Sequence, residues 1–336
     1  MATTAPPIPR VELALAPTPL LPLERLSREL GVELWVKRDD LTGLLETGGT
    51  VRKLEFLVGE ALAQRADTLI TCGAPQSDGC RAVTAVAARL GLRAMLALEG
   101  PPPAEADGNL LLDRLLGAEI RYCAAAEWEK VDQVMQEMAG RARLAGRAPY
   151  VIPGHAAGAL GALGYVMCAQ ELAEQARHGA PPFDTITIPA TSGASLAGLL
   201  IGRQLTGLRA DVVGIPVGAD GARVRAAVLD AFEQARRRFG LPVTPPAEVR
   251  LLDGDEPAGG PAASAETLAL VVRVARREGL VLDPVHTARA FGALLERLRR
   301  EPGSLGRRVC FVNTGGVFGV FPFRDALGRL ADADVW

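Results

Sequence analysis

Residues 36–55 read VKRDDLTGLLETGGTVRKLE. The stretch opens at the end of a strand-like segment, 33–37, and turns through Asp39-Asp40. A loop with Gly43, Gly48 and Gly49 follows, then an amphipathic helix predicted from near Val51 to Ala66. A strand, a glycine loop and a helix N-terminus in succession set backbone N–H groups against a ligand.

Outward from this stretch the same unit recurs. Apolar strand-like runs lie at 68–72, 93–99, 120–123 and 150–153, and again at 185–189, 211–217 and 308–312. Helical patterns separate them at 82–90, 109–119 and 127–144, after the loop 154–164 to near 178, from a loop and helix start at 191–202, at 222–239 and 264–278, and after a turn within 281–298. The Pro/Gly/Asp-rich run 245–260 reads as an exposed excursion. Apolar strands alternating with helices predict an α/β chain with parallel-rich sheets covered on both faces. Such sheets bind ligands at the carboxyl ends of their strands, so the loops there hold the chemistry.

Bulk composition narrows the function classes. With 336 residues the chain has length for about two domains. A net charge of −2 gives no electrostatic basis for nucleic-acid or membrane binding. No apolar run reaches the ~20 residues of a membrane span, and the N-terminus lacks a signal-peptide pattern. Five cysteines at wide spacing, with no CxxC, suit reduced thiols and a cytoplasmic protein. Lys37, Lys53 and Lys130 are the three lysines, so any lysine chemistry has three candidates.

Four post-strand loops share a small-residue composition: TGGTVRK (47–53), GAPQSDGCR (73–81), TSGASLAG (191–198) and NTGGVFG (313–319). Thr191, Ser192, Gly193, Ala194 and Ser195 open a helix and form a candidate phosphate cup. Tight strand–helix packing without a ligand is the plain alternative. His155 and His286 fall in ligand-side loops, whereas His178 ends a helix beside Gly179 and reads as a C-terminal cap. Asp78 stands where a helix cap is wanted or where an acid–base group would act. His155, His286, Asp78 and Cys80 show no close metal-ligand spacing, so no metal is expected.

RDDLTG (38–43), RKLEFL (52–57), APQSDGCR (74–81), GNLLLDRLLGAE (108–119), YVIP (150–153), ALGALGYV (159–166), LDPVHTARAF (282–291) and NTGG (313–316) together resemble the D-cysteine desulfhydrase / 1-aminocyclopropane-1-carboxylate deaminase family. These are fold-type II pyridoxal-phosphate enzymes related to the tryptophan synthase β-subunit, and the resemblance covers nearly the whole chain. It implies a two-domain α/β fold, with 1–50 plus 160–336 as the large domain and 51–159 as the small one. It also implies a cleft between the domains, a small-molecule substrate and a homodimer.

The family's register of G-G-N-K, one residue, then RKLE places Thr50 where its Schiff-base lysine stands. The family's Q-S-N-H reads Gln76-Ser77-Asp78-Gly79, its D-P-V-Y tyrosine is His286, and its G-G-S-N reads His155-Ala156-Ala157-Gly158. Lys53, the 191–195 loop and Thr314 keep the phosphate and ring-nitrogen end.

We therefore expect no covalent pyridoxal phosphate, with the cofactor bound non-covalently or replaced by a phosphate- or carboxylate-bearing ligand. The leading expectation is acid–base lyase, hydrolase or cyclase chemistry on a small anionic metabolite, in specialised metabolism. Asp78, His286 and His155 would exchange protons, while Ser77 and Thr50 would hold an anionic group. One alternative is a pyridoxal-phosphate-dependent desulfhydrase- or deaminase-like lyase using Lys53 or free cofactor. Another is a ligand-binding protein without catalysis.

Overall fold

The computed structural model describes residues 8–252 and 263–333. Its strands form two sheets. The first has the order β1 (Leu20–Pro22), β2 (Glu33–Lys37), β9 (Arg308–Val312), β7 (Thr185–Ala190), β8 (Asp211–Pro216). Only β1 is antiparallel to its neighbour; Lys37 pairs with Val312 and Ala190 with Pro216 at the carboxyl ends. The second sheet is all parallel, with the order β5 (Glu119–Cys123), β4 (Arg93–Glu99), β3 (Thr68–Gly73), β6 (Pro149–Val151).

Period-two alternation explains why the first sheet is covered on both faces. Val309 and Phe311 of β9 enter one apolar cluster with Leu34 and Val36 of β2. Cys310 and Val312 point the other way, into the cluster that also takes Ile186 and Ile188 of β7. Helices α10 (Ala265–Glu278) and α11 (Thr287–Arg300) cover the first face. On the other face lie α2 (Gly49–Ala63), α7 (Gly158–Arg177), α8 (Ala194–Thr206) and α9 (Gly221–Phe239). The second sheet packs α6 (Val131–Leu144) on one side, while α3 (Asp78–Leu90) and α4 (Gly108–Leu115) meet its strands through Cys80 and Leu110. The remaining helices are α1 (Glu24–Leu30), α5 (Ala125–Trp128) and α12 (Arg324–Asp332). No described helix is long and apolar enough to cross a membrane.

Several boundaries differ from the sequence reading. Helix α2 starts at Gly49 and α3 at Asp78, both earlier than read, because the glycine and polar residues of the loops already take helical geometry. The helix read over 127–144 is broken between α5 and α6. The 245–260 run is not wholly exposed: Val249 and Leu252 are buried, and Leu251 bridges Gly214. Residues 253–260 of that run lie outside the described residues.

The segments that follow β2, β3, β6, β7 and β9 leave the carboxyl ends of their strands. They carry, in turn, Thr50, Ser77 and Asp78, His155, Thr191–Ser195, and Thr314.

Candidate active site

A buried ion network fixes the start of α2. Arg52 donates to both oxygens of Asp39, at 2.8 Å each, and its other nitrogens reach Glu171 of α7. Burial opposes the charge on Arg52, but Asp39 and Glu171 hold its pKa well above the ordinary value. Lys37 is sealed in the same network, 2.9 Å from Glu171. A bidentate Arg–carboxylate pair fixes direction as well as distance. The RDDLTG and RKLE motifs are thereby clamped together.

Above this clamp Gly48 (φ +63°) lies on the 313–316 turn. A Cβ there would sit 2.2 Å from the Thr314 carbonyl, which accepts from the Gly49 N–H at 2.9 Å. Tyr165 of α7 fills the space beside Gly49, with Ser195 in the first turn of α8 near its hydroxyl. No side chain caps α8, whose entry residue Gly193 is left-handed, so its first N–H groups are free for an anion.

Lys53 packs against the same junction. Its side chain is buried, Nζ lies 6.0 Å from the Tyr165 ring centre, and it donates to the His155 carbonyl at 3.1 Å. Among the described residues it makes no salt bridge. Burial lowers its pKa to about 8. The other two lysines are remote from this chemistry: Lys37 is committed to Glu171, and Lys130 is exposed between α5 and α6.

The opposite end gathers carboxylates and a histidine. Asp78 accepts from Arg81 and from Asn109 of α4, each at 3.1 Å. Arg81 is fully buried, stacks 4.8 Å from the Phe318 ring centre and donates to the Leu45 and Glu46 carbonyls. Ligating atoms of Asp78, Asp283 and His286 all lie within 4.8 Å of one another. Burial and then the Asp283 charge raise the Asp78 pKa, against the pull of Arg81. Burial opposes a charged His286, but its hydrogen bond to Asp283 and the charges of Asp283 and Asp78 win, and its pKa is raised.

The structure thus brings Asp78 and His286 together. His155 (φ +58°) stands between the two ends; its surroundings and then the positive charges of His286 and Lys53 lower its pKa. Ser77, rather than Asp78, is the N-cap of α3, accepting from the Cys80 N–H at 3.2 Å. Thr50 is half-buried in the first turn of α2. Thr191 donates to the Val217 carbonyl, and Ser192 is part-buried beside it. His178 is exposed, its Nδ1 against the Glu174 carbonyl. Sequence reading missed Asp283, Arg81, Asn109 and Tyr165. All four lie inside quoted motifs, and Asp283 stands one turn before His286, the one spacing signal available.

Residues 11–315 match the family model described as pyridoxal-phosphate dependent enzyme. A Pyrococcus horikoshii chain provisionally named 1-aminocyclopropane-1-carboxylate deaminase is 38% identical over 320 residues, 95% of each chain. A D-cysteine desulfhydrase of Yersinia enterocolitica is 36% identical over 320 residues, 94% of this chain and 96% of its own. The crystal structure of an ACC deaminase homologue superposes with a TM-score of 0.88 at 37% identity, covering 96% of both chains. Threonine deaminase isoform 2 of Solanum lycopersicum shares the fold alone, with a TM-score of 0.67 at 15% identity.

These matches overturn the expectation of a chain without covalent pyridoxal phosphate. That expectation rested on one position, Thr50. Lys53, one turn along the same helix, carries a buried amine that has no carboxylate partner among the described residues. The donor set fits a phosphate-bearing aldehyde: an uncapped helix N-terminus for the anion, and an amine near neutrality beside it.

Proposed function

Because the chain belongs to the pyridoxal-phosphate-dependent enzyme family, we propose that it is a lyase acting on a small amino acid of the D-cysteine or 1-aminocyclopropane-1-carboxylate kind. In this reading Lys53 is the amine that receives the cofactor. The observation that carries it is the Lys53 side chain, 8% exposed and bonded to a backbone carbonyl, with a pKa lowered to about 8. A lysine amine attacks an aldehyde only when neutral, and desolvation is a general way to reach that state near neutral pH.

When bound, pyridoxal phosphate supplies an electron sink for bonds broken beside an amino group. The N–H groups that open α8, with the Ser195 hydroxyl, hold the phosphate. Ser77 accepts from Cys80 and keeps its own O–H to give to a substrate carboxylate, and the Thr50 hydroxyl is a second donor. Asp78 and His286 move protons at the far end of the cleft, and His155 is kept neutral between them and Lys53.

Borohydride reduction of the protein mixed with pyridoxal phosphate, followed by peptide mapping, tests the reading. A pyridoxyl adduct on Lys53 is expected, and Lys53→Arg should lose both the adduct and the release of keto acid from D-cysteine or 1-aminocyclopropane-1-carboxylate. An unmodified Lys53 in a protein that turns over either substrate sinks it.

A further inference from the structure

The Asp283 carboxylate is held by three backbone N–H groups at the start of α11. Its Oδ1 accepts from the Val285 N–H at 3.1 Å; its Oδ2 accepts from His286 at 2.5 Å and Thr287 at 3.2 Å. The Thr287 hydroxyl returns a bond to the Asp283 N–H at 2.8 Å. With both oxygens taken by N–H groups, the carboxylate is fixed in orientation, which a residue with a single acceptor oxygen could not match. The same Oδ2 lies 3.3 Å from His286 Nδ1, so the ring nitrogen meets an oxygen that the backbone already holds in place.

Across the cleft stands Asp78, contributed by the first turn of α3. Gly316 (φ +102°) makes room for the pair: a Cβ there would lie 2.6 Å from Asp283 Cβ and 2.9 Å from Asp78 Oδ2. Any other residue at this turn would push the two carboxylates apart. A metal ion is a poorer occupant than a proton. Asp78 Oδ1 is already taken by Arg81 and Asn109, and Asp283 sits at the positive end of α11, which repels a cation.

We propose that Asp283 is a positioning residue, fixing the His286 imidazolium against Asp78 so that His286 Nε2 delivers a proton to the substrate. The inference rests on the reading of this cleft as a lyase site. In the step the proton leaves Nε2 for the substrate atom. The imidazole is left neutral with Nδ1–H on Asp283, and a proton from water restores it. The charged and titratable groups around His286 are Asp283 on its own turn, Asp78 and Arg81 of α3, Arg289 of α11, and His155 from the turn before α7. Against burial and the Arg289 charge, the two carboxylates raise the His286 pKa from its ordinary value.

The chain has three histidines, so imidazole NMR signals of the full-length protein can be assigned with His178→Gln and His286→Gln. Asp283→Asn keeps an acceptor for the α11 N–H groups and removes the charge. It should lower the His286 titration midpoint by about one pH unit in a protein that stays folded, with some loss of melting temperature from the cap bond given up. An unchanged midpoint in a folded Asp283→Asn protein overturns the proposal. Should that variant not fold, Asp78→Asn replaces it: a lowered His286 midpoint supports the proposal, and an unchanged one overturns it. The titration is read without cofactor, so an absent Lys53 adduct would remove the lyase reading and leave the Asp283–His286 pairing measurable on its own.

Discussion

At the scale of single residues Lys53 decides most. A lysine whose folded pKa is about 8, against an ordinary 10.5, binds fewer protons folded than unfolded between those values. Stability therefore rises with pH across that window and is lowest, for this group, below pH 8. The buried charge costs up to about 3 kcal/mol at pH 7. Lys53→Met should accordingly melt above the wild type at pH 7, with the gap closing towards pH 10. Thermal melts of both proteins across that range check it, and a wild type that stays the more stable at pH 7 contradicts an amine held without a carboxylate partner. Sequence gave no hint of this, since burial of a lysine is set by what packs round it. Thr50 is legible by register, and Lys53 lies one turn on along the same helix. Asp78 illustrates the same limit. Its position before an alanine-rich helix suited a cap, but Ser77 takes that role, and the Asp78 carboxylate turns to a partner some two hundred positions away.

Among elements, the junction of α2, α7 and α8 is the most closely fitted. A Cβ on Gly49 would lie 1.8 Å from the Tyr165 hydroxyl oxygen and 3.0 Å from its Cζ. Gly49→Ala should therefore destabilise the protein by roughly 1–3 kcal/mol through overpacking. Tyr165→Phe removes the offending oxygen, and with it the hydroxyl near Ser195. In the double variant part of the Gly49→Ala cost should be recovered, giving a favourable coupling of about 1 kcal/mol in a urea-denaturation cycle. Additive costs would mean that the tyrosine simply moves aside. Most of these helices were readable from apolar periodicity, including α2, α8 and α11. The break between α5 and α6 was not, because residues 129–130 hold no glycine or proline. There Glu127 folds back to accept the Ala124 N–H and closes a local turn, which periodicity does not register.

Across the whole molecule, alternation of strands and helices made the parallel sheets legible, and the family motifs made the order of the site loops legible. The link between loop 44–46, after β2 of the first sheet, and helices α3 and α4 on the second was not. Arg81 supplies it. This fully buried guanidinium reaches the Leu45 and Glu46 carbonyls of that loop, Asp78 on its own helix and Asn109 of α4, and it stacks on Phe318. Residues 44–46 all take positive φ, a conformation costly for leucine and glutamate, so the loop needs an external hold. A lysine at 81 keeps the charge but loses the planar fork that serves several acceptors at once. Arg81→Lys should cost roughly 2–4 kcal/mol, since buried acceptors are left unpaired. Hydrogen exchange should quicken at 44–46 and 317–323 while the strands of both sheets stay protected. Uniform acceleration throughout would instead assign Arg81 to general stability. Unchanged exchange at 44–46 would show that the loop holds its left-handed turn without help. The local outcome should also weaken Asp78 as a partner for His286, because Arg81 and Asn109 together fix the Asp78 carboxylate.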